Sequence, residues 1–75
     1  MKIKEVIEEG KNALSKNNIE DDVIIVRELL AFVLGVTKQY LVIHLEDELN
    51  AGDYIKFKEN INEIIEGKPL QYITN

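Results

Sequence analysis

Ile3, Val6, Ile7, Gly10, Ala13 and Leu14 fall at offsets of three, four, seven, ten and eleven, with Lys4, Glu5, Glu8, Glu9 and Lys11 between them. That is the repeat of one helical face, so the spacing predicts a first amphipathic helix, broken at Lys16-Asn17-Asn18. Gly10 lies on the apolar stripe, where it costs about 1 kcal/mol of helix propensity relative to alanine. The cost makes sense if another helix crosses closely there.

The next segment opens on Glu20-Asp21-Asp22, whose side chains offer acceptors and negative charge to a helix start, and closes on Gly35, suited to a left-handed end. Between them VIIVRELLAFVL is apolar almost all round. Val23-Ile24-Ile25-Val26 alone reads as a buried strand, because β-branched residues pack well on a pleat. The length of the segment and its two end signals argue for a helix. A helix apolar on every side must be surrounded, which places it at the centre of a bundle. Left exposed, it would be an aggregation hazard.

Thr37 is placed to cap a short third helix carrying Tyr40, Leu41 and His44, followed by an acidic turn at Glu46-Asp47-Glu48 and a further short turn around Leu45 to Leu49. The fourth helix has Asn50 as its cap, Asp53 as a shortened capping box, and Leu49 and Tyr54 spaced to staple its first turn. Tyr54, Phe57, Ile61, Ile64 and Ile65 then repeat offsets of three, seven, ten and eleven. Gly67 and Pro69 read as its stop. The closing Gly67-Lys68-Pro69-Leu70-Gln71-Tyr72-Ile73 reads as extended, with Leu70 and Tyr72 on one side and Gln71 and Ile73 on the other. Such a strand leaves its backbone groups unpaired. It is either a loose tail or a strand whose partner lies beyond Asn75. The expected fold is all-α, a small bundle of four to five helices with an extended C-terminal segment.

Composition narrows what such a bundle can do. Seventy-five residues allow one domain, and a chain of this size buries about 60% of its unfolded surface. Cysteine is absent, which removes disulfides, thiolate ligands and thiol nucleophiles. Net charge is -5 and the pI is near 4.8, so a phosphate backbone is repelled on average and nucleic acid is a poor partner. No apolar run is long enough for a signal region or a membrane span, and the expectation is a cytoplasmic protein. The four glycines are isolated, so no phosphate-binding loop is present. His44, the single histidine, reads as a residue near a helix end rather than a ligand. The acidic runs read as caps, turns and solvated faces, and Tyr40 and Tyr54 as core or staple residues.

The stretch Gly67 to Ile73, Gly-x-Pro-Leu-Gln-Tyr-Ile, resembles the junction motif of the HemK-type release-factor glutamine methyltransferases, also called PrmC. Leu29-Leu30-Ala31-Phe32-Val33-Leu34-Gly35, followed by the apolar Leu41, is similar to that family's second-helix and third-helix pattern. The chain departs from the pattern at Ile64-Ile65-Glu66, where the family often has arginines, and at Asn75, where it usually has glycine. The resemblance implies methyl transfer from S-adenosylmethionine to the side-chain amide of a glutamine in peptide chain release factors. It also implies a glycine-rich cofactor loop and an Asn-Pro-Pro-Tyr motif, neither of which occurs in these residues.

On that resemblance, residues 1–66 are expected to be a helical substrate-recognition domain and 67–75 the start of a hairpin to a methyltransferase domain. The implied partners are a release factor and that catalytic domain, with no catalytic, cofactor or metal residue in this segment and S-adenosylmethionine bound by the parent protein. Gln71 and Tyr72 are the candidate interdomain contacts. Two alternatives stand beside this. One is a free-standing acidic helical module that binds a partner protein. The other is a small enzyme using its carboxylates, to which no spacing points.

Overall fold

The computed structural model describes residues 1–74 and folds as five helices: α1 (Ile3–Lys16), α2 (Asp22–Leu34), α3 (Lys38–Ile43), α4 (Ala51–Ile65) and α5 (Leu70–Thr74). Asn75, where the family pattern has glycine, lies outside the described residues. The all-α bundle expected from the periodicity is what forms. Val6, Leu14, Val26, Leu29, Leu30, Leu41 and Phe57 make its innermost layer. α1 and α4 pack on α2 and on each other, while α3 and α5 cover other parts of α2.

The close crossing that Gly10 implied is present. A Cβ built there would stand 2.7 Å from Phe57 Cζ and 3.2 Å from Val26 Cγ2, so glycine is what lets α1 approach both helices. Thr37 Oγ1 accepts from Tyr40 N at 3.1 Å, and Asn50 Oδ1 from Asp53 N at 2.8 Å, as the cap pattern predicts. Asn50 Nδ2 also donates to the Asp53 carboxylate at 2.8 Å, closing the short box. Gly35 ends α2 with φ 69°.

The start of α2 draws its side-chain acceptor from Asp22, whose Oδ1 accepts from Val23 N at 2.7 Å, while Asp21 takes a left-handed backbone, φ 59°, without a capping hydrogen bond of its own. Asp22 also puts its charge in the first turn, where the positive end of the helix dipole favours it. Two expectations are corrected. α2 is not fully surrounded, since Ile24 is 60% and Phe32 51% exposed. The helices beside it number only four, two of them of six and five residues, which is too little cover for a whole apolar cylinder.

The second correction is the extended tail, because Leu70–Thr74 is helical. Pro69 stands immediately before it, where a fixed φ suits a first turn and the missing N–H costs nothing. Tyr72 N donates to Pro69 O at 3.1 Å and Thr74 Oγ1 to Leu70 O at 3.2 Å. One helical turn gives these backbone groups local partners that a lone strand lacks. Leu70 and Ile73, three residues apart, share a face and pack against the core instead of alternating.

Candidate functional site

The helical turn decides how the candidate contact residues are presented. With Leu70 and Ile73 inward, Gln71 and Tyr72 face outward, and both are exposed, Tyr72 at 71%. Lys68 Nζ lies 5.8 Å from the centre of the Tyr72 ring, in cation–π range. Gly67, at φ 104°, makes the reversal from α4, with its N–H on Ile64 O and that of Lys68 on Glu63 O. The pair is therefore held on a short docked helix, available to another surface.

The acidic turn has a structural task that the sequence did not disclose. Ile3 N donates to Asp47 O at 2.9 Å and Lys4 N to Leu45 O at 3.0 Å, so the turn satisfies N–H groups that the first turn of α1 would leave orphaned. Leu49 N returns a bond to Met1 O at 2.9 Å. Glu5 Oε1 takes Lys2 N at 2.7 Å, one side of a capping box, since lysine has no acceptor to complete it. Glu46 receives Lys4 Nζ at 2.8 Å and Lys2 Nζ at 3.3 Å, and Glu48 meets the terminal ammonium at 3.1 Å. The hydrogen bond from Lys4, then that from Lys2, holds the Glu46 carboxyl below its ordinary pKa, and Glu46 raises Lys4 in turn. Only charge runs on separate segments signalled this, and they do not say which runs pair.

Behind the turn is a cleft of about 190 Å³. Ile3, Leu34, Val36 and Leu49 line it together with Asn50, Asp47, Glu48 and Asp53. His44 sits beside it, Nδ1 2.7 Å from Asp47 Oδ2, with its ring stacked at 3.9 Å on Tyr40. The histidine braces the turn and the end of α3. Val42 and Ile43, on the same helix, are 59% and 77% exposed.

A second polar group ties α1 to α4. Tyr54 Oη donates to Glu9 Oε1 at 2.6 Å, and Lys58 Nζ reaches the same oxygen at 3.0 Å. The Tyr54 hydrogen bond and then the lysine hold Glu9 below its ordinary pKa, while Glu9 pushes Tyr54 and Lys58 up. Tyr54 is thus half-buried with its hydroxyl partnered, and its helical spacing to Phe57 identified its inner side but not Glu9. Among the described residues no three His, Asp or Glu side chains converge as metal ligands. The charged groupings around Glu46 and Glu9 are braces, and the remaining unpartnered features are surfaces.

Comparison with known proteins gives these surfaces a context. The family model described as PrmC N-terminal domain matches residues 5–74. A protein of Rickettsia felis named bifunctional methyltransferase is 28% identical over 71 residues, 95% of this chain and 14% of that protein. The chain therefore spans a small fraction of the curated relative it matches. No solved structure matches it.

Proposed function

Because the chain belongs to the PrmC N-terminal domain family, we propose that it is the recognition domain of an S-adenosylmethionine-dependent protein-(glutamine-N5) methyltransferase acting on peptide chain release factors. The family match across nearly all of the described residues carries this reading, and the methyltransferase relative supports it. An amide nitrogen is a weak nucleophile, so its attack on a sulfonium methyl group depends on positioning and on a preorganised site. A domain that grips the release factor at a distance from the chemistry supplies part of that positioning. The cofactor site and the groups that hold the release factor's glutamine amide belong to a catalytic domain outside these residues. Residues 1–66 act as the recognition body and 67–75 as the lead into that domain, with Gln71 and Tyr72 meeting it. No helix among the described residues is long and apolar enough to cross a membrane, consistent with work on a translation factor in the cytoplasm.

Calorimetric titration of this chain with a release factor and, separately, with S-adenosylmethionine, beside the product of the gene read to its natural stop, tests the proposal. Release-factor binding by both, and cofactor binding by the longer protein alone, is the expected result. Cofactor binding by the 75-residue chain itself, or a gene product that methylates no release factor, would overturn it.

A further inference from the structure

We infer that the groove beside Phe32, between α2, the start of α3 and the end of α5, is the seat of the first residues that follow Asn75 in the longer protein. The inference rests on the reading above for a catalytic domain that continues the chain, and adds which surface of the bundle that continuation covers. Phe32 is 51% exposed and stands as a ridge between two grooves. The groove on the α4 side is walled by Val33, Lys56, Glu59 and Asn60. The other, of about 500 Å³, runs past Ala31, Val36 and Gln39, and Thr74 is part of its wall. With α5 packed on α2, the backbone is thus delivered to the second groove and not to the first.

The surface chemistry favours an attached occupant over a free one. This groove offers more apolar than polar surface, and its cation and anion, Lys38 and Glu28, hold each other at 2.5 Å. On a chain of net charge -5 it is therefore a neutral place, with no excess charge to steer or select a separate partner. An open patch of this kind binds a free molecule weakly, because the area covered barely offsets the lost freedom of two bodies. A segment joined to Thr74 avoids most of that loss, since a short tether sets its effective concentration on the order of millimolar. Covering Phe32 and Val36 then removes apolar surface from water at little entropic cost. About ten extended residues span roughly 35 Å. The longest dimension of the bundle is 30 Å, so the stretch directly after Asn75 is long enough to cross the groove.

In the gene product read to its natural stop, Phe32 is replaced by the photoreactive p-benzoylphenylalanine, the protein is irradiated, and cross-linked peptides are mapped by mass spectrometry. The expected product joins position 32 to the stretch directly after Asn75 within one molecule, in a yield independent of protein concentration. The same probe at Ile24, equally exposed but about 12 Å away along α2, should give little of it. Absence of the product, or links from position 32 to a second copy, to an added release factor or to the body of the catalytic domain in its place, overturns the inference. A measurement free of the probe checks it: Phe32→Ala should speed amide exchange in that stretch about threefold or more, and Ile24→Ala should not. Equal effects of the two changes also overturn it.

Methylation of a release factor by the same gene product separates this inference from the reading on which it rests. Methylation without the expected cross-link refutes the groove and leaves the methyltransferase reading standing. The cross-link with no release factor methylated keeps the groove as the seat of the continuing chain and removes that reading.

Discussion

At the crossing of α1, α2 and α4 the missing Cβ of Gly10 leaves room for Phe57, and Val26, Leu29 and Leu30 are wholly buried. On the side of the bundle served by α3 and α5, Ile43 keeps 77% and Tyr72 71% of their surface exposed. Both regions are rich in aliphatic and aromatic residues. The first is covered by helices of thirteen to fifteen residues, the second by helices of six and five. In a chain too short to bury every apolar group, helix length decides which become core and which remain available for contact. Stability should therefore concentrate at the crossing, and binding on the short-helix side.

The sharpest way to break that division is to cut into each side of α2. Leu30→Ala should cost about 2 to 5 kcal/mol, read as a fall in the urea midpoint, because its surroundings cannot close the cavity. That is a large part of the margin of a small domain. Ile24→Ala on the exposed side of the same helix should stay within about 0.5 kcal/mol. Equal losses would mean that α2 is not divided into core and contact faces. Gly10→Ala comes next: alanine regains up to about 1 kcal/mol of helix propensity, but its methyl would stand 2.7 Å from the ring of Phe57, itself 1% exposed, so the ring or the helix must shift. A net loss of about 1 to 2 kcal/mol by thermal or urea unfolding is expected, against a gain if the crossing is loose.

The sequence made the first region more legible than the second, for a physical reason. Apolar period, the crossing glycine and the Thr37 and Asn50 caps depend on residues within a few turns, and each took the form expected. The end of α2 followed Gly35 as well. The tail did not, because Pro69 serves equally to stop one helix and to open the next; packing of Leu70 and Ile73 decided between them. Exposure of Ile24 and Phe32 depends on how much of α2 its neighbours cover, which no local pattern states. The pairing of Glu46 with Lys2 and Lys4, and of Glu9 with Tyr54, joins segments more than forty positions apart. The charged residues of these pairs were visible while their arrangement was not.

Smaller effects sharpen the comparison at the entrances to the helices. Asn50→Ala removes the acceptor for Asp53 N and should cost about 1 kcal/mol, with Asn50→Ser restoring most of it. The brace between α1 and α4 should show in the acid limb of stability. Glu9 titrates below its ordinary value of 4.5, so its contribution is complete above the unfolded carboxylate pKa and is lost as pH falls through the folded one. Tyr54 is raised above 10.0, so its share is lost as pH climbs through the folded phenol pKa. Tyr54→Phe should flatten the dependence of the urea midpoint at both ends, slightly, because solvent screens a glutamate that is 35% exposed. Parallel curves for the two proteins would remove the brace from the account.

The smallest expected effect on stability is also the one that separates the two regions most directly. Tyr72 makes no core contact beyond its place on α5, and its neighbours Leu70 and Ile73 hold that helix down. Tyr72→Ala should therefore leave the unfolding midpoint within about 0.5 kcal/mol of the parent. If the outward face of α5 meets the catalytic domain, the same change in the full gene product should weaken the coupling between the domains, seen as faster amide exchange in α5 and slower methyl transfer with cofactor affinity retained. An aromatic anchor buried only in the assembled protein behaves in that way. Loss of stability in this chain would instead make Tyr72 part of the bundle, and the short-helix side would then be core that is merely thin.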